Sequence, residues 1–139
     1  MNLPQLNYMA VLVAAIAVFI LGAVWYSPAL FAKKWMALQG KTEAEMKAGA
    51  RLPMAAMLFI SFLCGLLLTL ALGVLLHHYS HMDVMKGAMI GALSWLGFVA
   101  ATSFTTSLFS SGPTRLWLID AGYHLASAIV AGMILGGWR

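Results

Sequence analysis

Four long apolar runs dominate the chain, at about residues 6–26, 53–76, 84–109 and 116–138. Each run is close to or above the roughly 20 residues that an α-helix needs to cross the hydrocarbon core of a bilayer. The connections between them are short, except for residues 27–52. The pattern therefore predicts an all-α integral membrane protein, a four-transmembrane-helix bundle that forms a single membrane domain over residues 1–139.

The long connection, residues 27–52, has a helical pattern of its own. Phe31, Trp35 and Leu38 recur at i, i+4 and i+7, which is typical of a short interfacial helix that lies on the membrane surface. Thr42 and Glu45 then have the spacing of a capping box, which predicts the start of a second short helix.

Composition and charge agree with a membrane protein and indicate its orientation. The chain is 63% hydrophobic and 9% charged, which is outside the range of soluble domains. Basic residues flank the inner ends of membrane helices. Two lie on one side, Lys86 and Arg139, and six lie on the other: Lys33, Lys34, Lys41, Lys47, Arg51 and Arg115. We expect residues 27–52 to be cytoplasmic and both termini to be outside. Topology accounts for the net charge of +4, so no nucleic-acid partner is predicted.

Small residues line one face of several predicted spans. They are Ser61, Gly65, Thr69 and Gly73 in the second, Gly87 and Gly91 in the third, and Gly132 and Gly136 in the fourth. Such stripes allow helices to approach closely, because packing rather than hydrophobicity drives helix association in lipid. The stripes could serve one chain or two copies. Since four short helices enclose little interior, we expect a homo-oligomer in the lipid bilayer.

The candidate site lies in the last apolar run. Asp120, Tyr123, His124 and Ser127 fall at i, i+3, i+4 and i+7, which places them along one side of a helix. Because too few residues follow His124 to span the bilayer, its imidazole must lie within the membrane. Ionisable groups there are costly and usually mark function.

Other polar residues come from the same side of the membrane. Thr102 and Thr105 lie near the inner end of the third span, and Tyr26 near the inner end of the first. The hydroxyls in the third span could instead bond to carbonyls of their own helix. With Asp120 and His124 they suggest an inner-leaflet site that binds or transports a small ligand, an ion or a proton. The alternative is that these polar groups only lock helices together in a non-catalytic accessory or assembly subunit, with an unidentified membrane partner.

A second polar cluster lies between the second and third spans. His77, His78, His81 and Asp83 could bind zinc or copper, but their spacing matches no strong motif. We interpret them as interfacial polar residues and predict no metal and no cofactor. No phosphate loop, facing acid pair or nucleophile elbow occurs, and spacing alone does not support pairing of Ser103 or Ser127 with His124. The protein is therefore predicted not to be an enzyme.

Two segments carry a resemblance to a known family. The residues are Gly22-Ala-Val-Trp25-Tyr26-Ser27-Pro28 with Phe31 and Trp35, and Gly122-Tyr123-His124. They resemble the bacterial membrane proteins of domain of unknown function family 1761 over nearly the whole chain. The resemblance implies a small four-helix protein of the bacterial inner (plasma) membrane, in which Trp25, Tyr26 and His124 belong to a shared architecture. Because the family has no established activity, it assigns no functional residue.

Overall fold

The computed structural model describes residues 4–139, and every regular element among them is helical. The elements in chain order are α1 (Tyr8–Trp25), α2 (Ala32–Gln39), α3 (Glu43–Ala48), α4 (Met54–His77), α5 (Val84–Ser94), a π-helical stretch (Trp95–Ala100), α6 (Ala101–Phe109) and α7 (Thr114–Gly137). The third span, Val84–Phe109, is thus one rod in which a π-helical stretch joins α5 to α6.

Among residues 4–139, four helices are long and apolar enough to cross a membrane, which confirms the predicted fold class. Their first turns are set by local sequence. Asn7 accepts a hydrogen bond from the Ala10 amide at 3.1 Å, and Asp83 accepts one from the Lys86 amide at 2.8 Å. These N-caps satisfy amides that a helix start leaves free. Pro53 and Pro113 precede α4 and α7, where a missing N–H costs nothing.

The connection between α1 and α4 contains the two short helices that the sequence predicts. Phe31, Trp35 and Leu38 fall in and beside α2, and α2 packs on α7. The Thr42 hydroxyl accepts from the Glu45 amide at 3.2 Å, while the Glu45 carboxylate accepts from the Thr42 amide. This confirms the predicted capping box at the start of α3.

The last helix, α7, is the centre of the bundle and packs against α1, α4 and α5. Close neighbours such as Val11 with Gly73, and Gly22 with Tyr123, show that α1 runs antiparallel to both α4 and α7. The buried core among α1, α4 and α7 consists of Ala10, Val11, Ala14, Val18, Leu72, Leu76, Ala131 and Leu135. We call the end of the bundle with the start of α1 and the end of α7 the terminal end, and the opposite end the loop end.

Glycines bring α5 and α7 into backbone contact. A Cβ added at Gly87 would collide with the Gly132 carbonyl, and one at Gly91 would collide with the carbonyl of Ala128. On α4, Gly65 lies beside Val18 and Gly73 beside Val11 of α1. The glycines of the small-residue stripes therefore pack within one chain, whereas Ser61 is exposed. The homo-oligomer stays a prediction, because these glycines are not free to form contacts between copies of the chain.

Candidate functional site

Asp120 on α7 lies at the centre of a polar cluster near the loop end of the bundle. Its Oδ1 atom accepts a hydrogen bond from the Tyr26 hydroxyl at 2.7 Å and another from the Trp35 indole nitrogen at 3.0 Å. The second carboxylate oxygen accepts no hydrogen bond from residues 4–139. The cluster joins the end of α1, helix α2 and the first half of α7, so one carboxylate ties three elements together.

The turn after α1 positions the Tyr26 hydroxyl and the Trp35 indole as hydrogen-bond donors to Asp120. The Ser27 hydroxyl donates to the Val24 carbonyl at 2.6 Å, and the Phe31 amide donates to the Trp25 carbonyl at 3.2 Å. This closed turn leads directly into α2 and places the ring of Trp35 edge-on to that of Tyr26, with centroids 5.9 Å apart. Tyr26 lies beyond the end of the first span, and burial, with the Asp120 carboxylate beside it, raises the pKa of its phenol. The phenol therefore stays protonated and donates.

Two further indoles bind α7 through its backbone. Trp25 donates to the Ile119 carbonyl at 3.0 Å, and Trp95 donates to the Ala121 carbonyl at 2.9 Å. A carbonyl oxygen has two lone pairs, so it can accept an indole N–H in addition to its helical partner. Because an indole N–H in an apolar environment needs an acceptor, these bonds fix the ring positions around residues 119–121.

Tyr123 and Ser127 face the interior between α7 and its neighbours. The Tyr123 hydroxyl donates to the Val18 carbonyl of α1 at 3.3 Å, and its ring covers Gly22, where an added Cβ would lie 3.0 Å from the phenol oxygen. Ser127 is 1% exposed, and its hydroxyl has no hydrogen-bond partner among the described residues. Both side chains thus lie in packed helix contacts rather than in an open site.

His124 lines a groove between α4 and the third span. The groove has a volume of about 250 Å³ and is open along one side. His124 makes no side-chain hydrogen bond or ion pair within residues 4–139. The lining residues are Leu68, Ala71, Leu72, Leu75, Gly91, Ser94, Trp95, Phe98, Val99, His124 and Ala128. No hydrogen bond or ion pair therefore joins His124 to Asp120 within residues 4–139, although the Tyr123 ring lies between the His124 ring and the Tyr26 ring, at centroid distances of 5.1 Å and 5.5 Å.

The threonines of the third span do not join Asp120 in a hydrogen-bond network. Thr102 donates to the Phe98 carbonyl at 2.6 Å, and Thr105 donates to the Ala101 carbonyl at 2.9 Å. Both are exposed and bonded within their own helix, which is the alternative that the sequence left open for them. Ser103 faces α7 instead and accepts from the Trp117 indole at 3.0 Å.

The polar residues between α4 and α5 do not converge. His78 contacts its own helix through Nδ1, which lies 2.9 Å from the Val74 carbonyl. Asp83 caps α5 and pairs with Lys86, at 3.6 Å between Oδ2 and Nζ. The backbone hydrogen bond from Lys86 and the nearby ammonium lower the pKa of the Asp83 carboxyl. Within residues 4–139, no three histidine, cysteine or acidic side chains are grouped as metal ligands would be.

The sequence pattern predicts Tyr26 in the same site as Asp120, but it does not indicate Trp35, Trp25 and Trp95 as donors to α7. A signal for Trp35 was present. Asp120 is the only acid inside any of the four spans, and the chain has five tryptophans whose indoles must find acceptors. The Trp25 and Trp95 bonds to main-chain carbonyls left no such signal, because every residue of α7 offers a carbonyl.

Comparison with known proteins identifies one family. A family model described as "Protein of unknown function (DUF1761)" matches residues 9–136, nearly the whole chain. The match includes the Asp120 cluster and every residue that lines the groove. Searches among curated proteins and among solved structures found no match.

Proposed function

The chain belongs to the DUF1761 family, whose function is unknown, and from its geometry we propose that it binds a small amphipathic ligand within the membrane. The apolar body of the ligand occupies the groove between α4 and the third span, and its polar head bonds to His124. The observation that carries this proposal is the imidazole of His124, which has no hydrogen-bond partner within residues 4–139, in a mostly apolar groove of about 250 Å³.

The groove has the composition expected of a binding site. Ligand pockets are mostly apolar, with a few polar groups that fix the orientation of the ligand. Here the aliphatic wall comes from α4, while Trp95 and Phe98 supply aromatic surface and His124 and Ser94 supply polar groups. An unbonded imidazole facing hydrocarbon is unfavourable. A ligand that hydrogen-bonds to the imidazole would relieve this cost.

The π-helical stretch Trp95–Ala100 supports the same location. Such stretches are rare within α-helices and occur frequently at functional sites. This one contributes Trp95, Phe98 and Val99 to the groove. The Trp95 indole is held by the Ala121 carbonyl, so the aromatic wall of the groove is fixed to the helix that carries His124.

The hydrogen bonds of Asp120 favour a different role for this residue. They support the second candidate function, that of an accessory or assembly subunit. Its carboxylate already accepts two hydrogen bonds that join α1, α2 and α7. We propose that Asp120 locks these helices together, as an accessory or assembly subunit would require, and that ligand binding rests on His124. Proton transfer between the two residues has less support, because no hydrogen bond or ion pair links them within residues 4–139.

We also propose a location in the bacterial inner membrane with both termini outside. The support is the excess of basic residues at the loop end, where six of the eight lysines and arginines lie.

Native mass spectrometry of protein released from lipid nanodiscs tests the binding proposal. The wild-type protein is expected to carry a reproducible extra mass that is absent from His124→Ala. The matched control is His81→Ala, which removes an exposed imidazole outside the groove and is expected to retain the mass. Wild-type protein that is free of added mass, or a mass that both variants retain, would contradict the proposal.

A further inference from the structure

A second cavity lies at the terminal end of the bundle, away from the His124 groove. Its volume is about 70 Å³, and it lies where the start of α1 meets the ends of α4 and α7. The lining residues are Gln5, Leu6, Asn7, Ala10, Val11, Gly73, Leu76, His77, Leu135, Trp138 and Arg139.

The polar groups at this cavity are mainly hydrogen-bond donors. Arg139 donates one bond, from Nη2 to the Leu76 carbonyl at 2.8 Å, and its guanidinium has five N–H groups in all. Asn7 uses its side-chain oxygen to accept from the Ala10 amide, which leaves its NH₂ group as a donor. His77 makes no side-chain hydrogen bond within residues 4–139 and offers a ring N–H.

Charge at the cavity favours an anion. None of the residues 4–139 that line it has an acidic side chain, whereas Arg139 brings a permanent positive charge. The nearest acid along the fold is Asp83, whose backbone lies against Gly136 of α7. That carboxylate is already paired with Lys86 and caps α5. A ligand at Arg139 would therefore meet donors and positive charge without a competing acidic side chain from residues 4–139 in the cavity.

The size of the cavity fits a compact polyatomic anion. One water needs roughly 10–15 Å³ of such a cavity, so a volume of about 70 Å³ holds a group of a few non-hydrogen atoms. Phosphate meets these requirements, because its oxygens accept several hydrogen bonds and arginine binds it in a fork geometry. Trp138, beside Arg139, is typical of the membrane interface, where lipid phosphates lie.

We propose that this cavity binds a phosphate group through Arg139, His77 and Asn7. The phosphate belongs either to a phospholipid headgroup or to a free phosphate in solution. The Arg139 guanidinium then makes two kinds of contact, because it donates to the Leu76 carbonyl and to the anion. The site is independent of the groove at His124 and does not rest on the function proposed there.

Two binding measurements on the full chain distinguish the sources. Native mass spectrometry from nanodiscs of phosphatidylcholine with a minor fraction of phosphatidylglycerol counts the retained molecules of each phospholipid, because both carry a phosphate. Thermal unfolding of detergent-purified protein with added inorganic phosphate measures binding of the free anion. The test variants are Arg139→Gln, which removes the charge but keeps donors, and His77→Gln, which breaks no hydrogen bond within residues 4–139.

We expect Arg139→Gln to weaken binding about tenfold or more, because a hydrogen bond to a charged group is lost, and His77→Gln to weaken it less. The matched control is Arg51→Gln, which removes the same charge from an exposed loop position and should leave binding unchanged. Retention of either phospholipid without binding of inorganic phosphate identifies a headgroup site, and binding of inorganic phosphate identifies a site for the free anion. Absence of both, or binding that neither test variant weakens more than Arg51→Gln does, overturns the proposal.

Discussion

The Tyr26 hydroxyl donates a 2.7 Å hydrogen bond to the Asp120 carboxylate, although 94 residues separate the two along the chain. The bond joins the end of the first span to the first half of the last. Trp35 donates to the same oxygen from α2. Asp120 therefore joins the end of α1 and α2 to α7, which is the helix that also carries His124.

Replacing Tyr26 with phenylalanine removes the shorter of the two bonds to Asp120 and keeps the ring. We expect a loss of about 1–3 kcal/mol in the free energy of unfolding, since a partly buried carboxylate loses a donor. Denaturant unfolding in mixed micelles measures this change in the free energy of unfolding. Tyr79→Phe makes the same change at an exposed ring with no side-chain hydrogen bond within residues 4–139 and should change stability little. Equal effects from both variants would contradict a specific role for the Asp120 bond.

Replacing Trp35 with phenylalanine tests whether Asp120 holds α2 in place. The variant keeps an aromatic ring against Tyr26 but loses the indole N–H. We expect faster amide hydrogen exchange in Ala32–Gln39, because local opening of α2 then costs less free energy. The control is Lys34→Ala, which changes an exposed side chain on the same helix. Unchanged exchange in the Trp35 variant would show that packing alone holds α2.

The contact between α5 and α7 should not tolerate a methyl group. Gly91→Ala places a Cβ against the Ala128 carbonyl, and such overpacking typically costs about 1–3 kcal/mol. A drop in the thermal unfolding midpoint measures the effect. Gly97→Ala is the matched control in the same span, because a Cβ there meets nothing within 4 Å. If both variants unfold at the same temperature, α5 and α7 are not in backbone contact at Gly91.

The cap at Asp83 predicts a pH-dependent start of α5. The Lys86 amide hydrogen bond and the neighbouring ammonium lower the pKa of this carboxyl. Its stabilising effect is therefore present above the ordinary aspartate pKa of about 3.9 and is lost as the pH falls through the lowered value. Asp83→Asn keeps a capping oxygen without the charge.

Hydrogen exchange at the first turn of α5, measured across pH, checks this cap. Relative to Asp83→Asn, the wild type should be better protected near neutral pH, and the difference should vanish in acid. A difference that is independent of pH would show that the charge contributes nothing.

The spans could be predicted from the sequence to within about two residues because hydropathy and length determine them. The first span was expected at 6–26 and is Tyr8–Trp25, and the last was expected at 116–138 and is Thr114–Gly137. The capping box at Thr42 was also predictable, since it depends only on residues three positions apart. The π-helical stretch was not, because it shifts backbone hydrogen bonds without proline or any other local marker.

The site was harder to predict because residues on one side of a helix can face different neighbours. Tyr123 and His124 are adjacent in sequence and therefore about 100° apart around α7. Tyr123 reaches α1, whereas His124 lines the groove beside α4. In a helix that is apolar on nearly all sides, the pattern does not show which neighbour each face meets. The threonines posed a similar problem, since Thr102 could bond to its own helix or to α7.

Double-mutant cycles test whether Asp120 acts with Tyr26 or with His124. The structure predicts that Asp120→Asn and Tyr26→Phe are coupled, because the two side chains share a 2.7 Å bond, with an interaction free energy of about 0.5–3 kcal/mol. Asp120→Asn and His124→Leu should be closer to additive, because no hydrogen bond joins them within residues 4–139. Unfolding in the same micelles measures both cycles.

The two cycles also separate the roles proposed for this part of α7. His124→Leu alone should leave stability unchanged or raise it, because it replaces an unpartnered imidazole with an apolar side chain in an apolar groove. It should nevertheless remove the mass that His81→Ala retains. A larger coupling free energy in the His124 cycle would show that Asp120 and His124 act as one unit. A shared proton or cation site would then replace the separate roles of helix locking by Asp120 and ligand binding by His124.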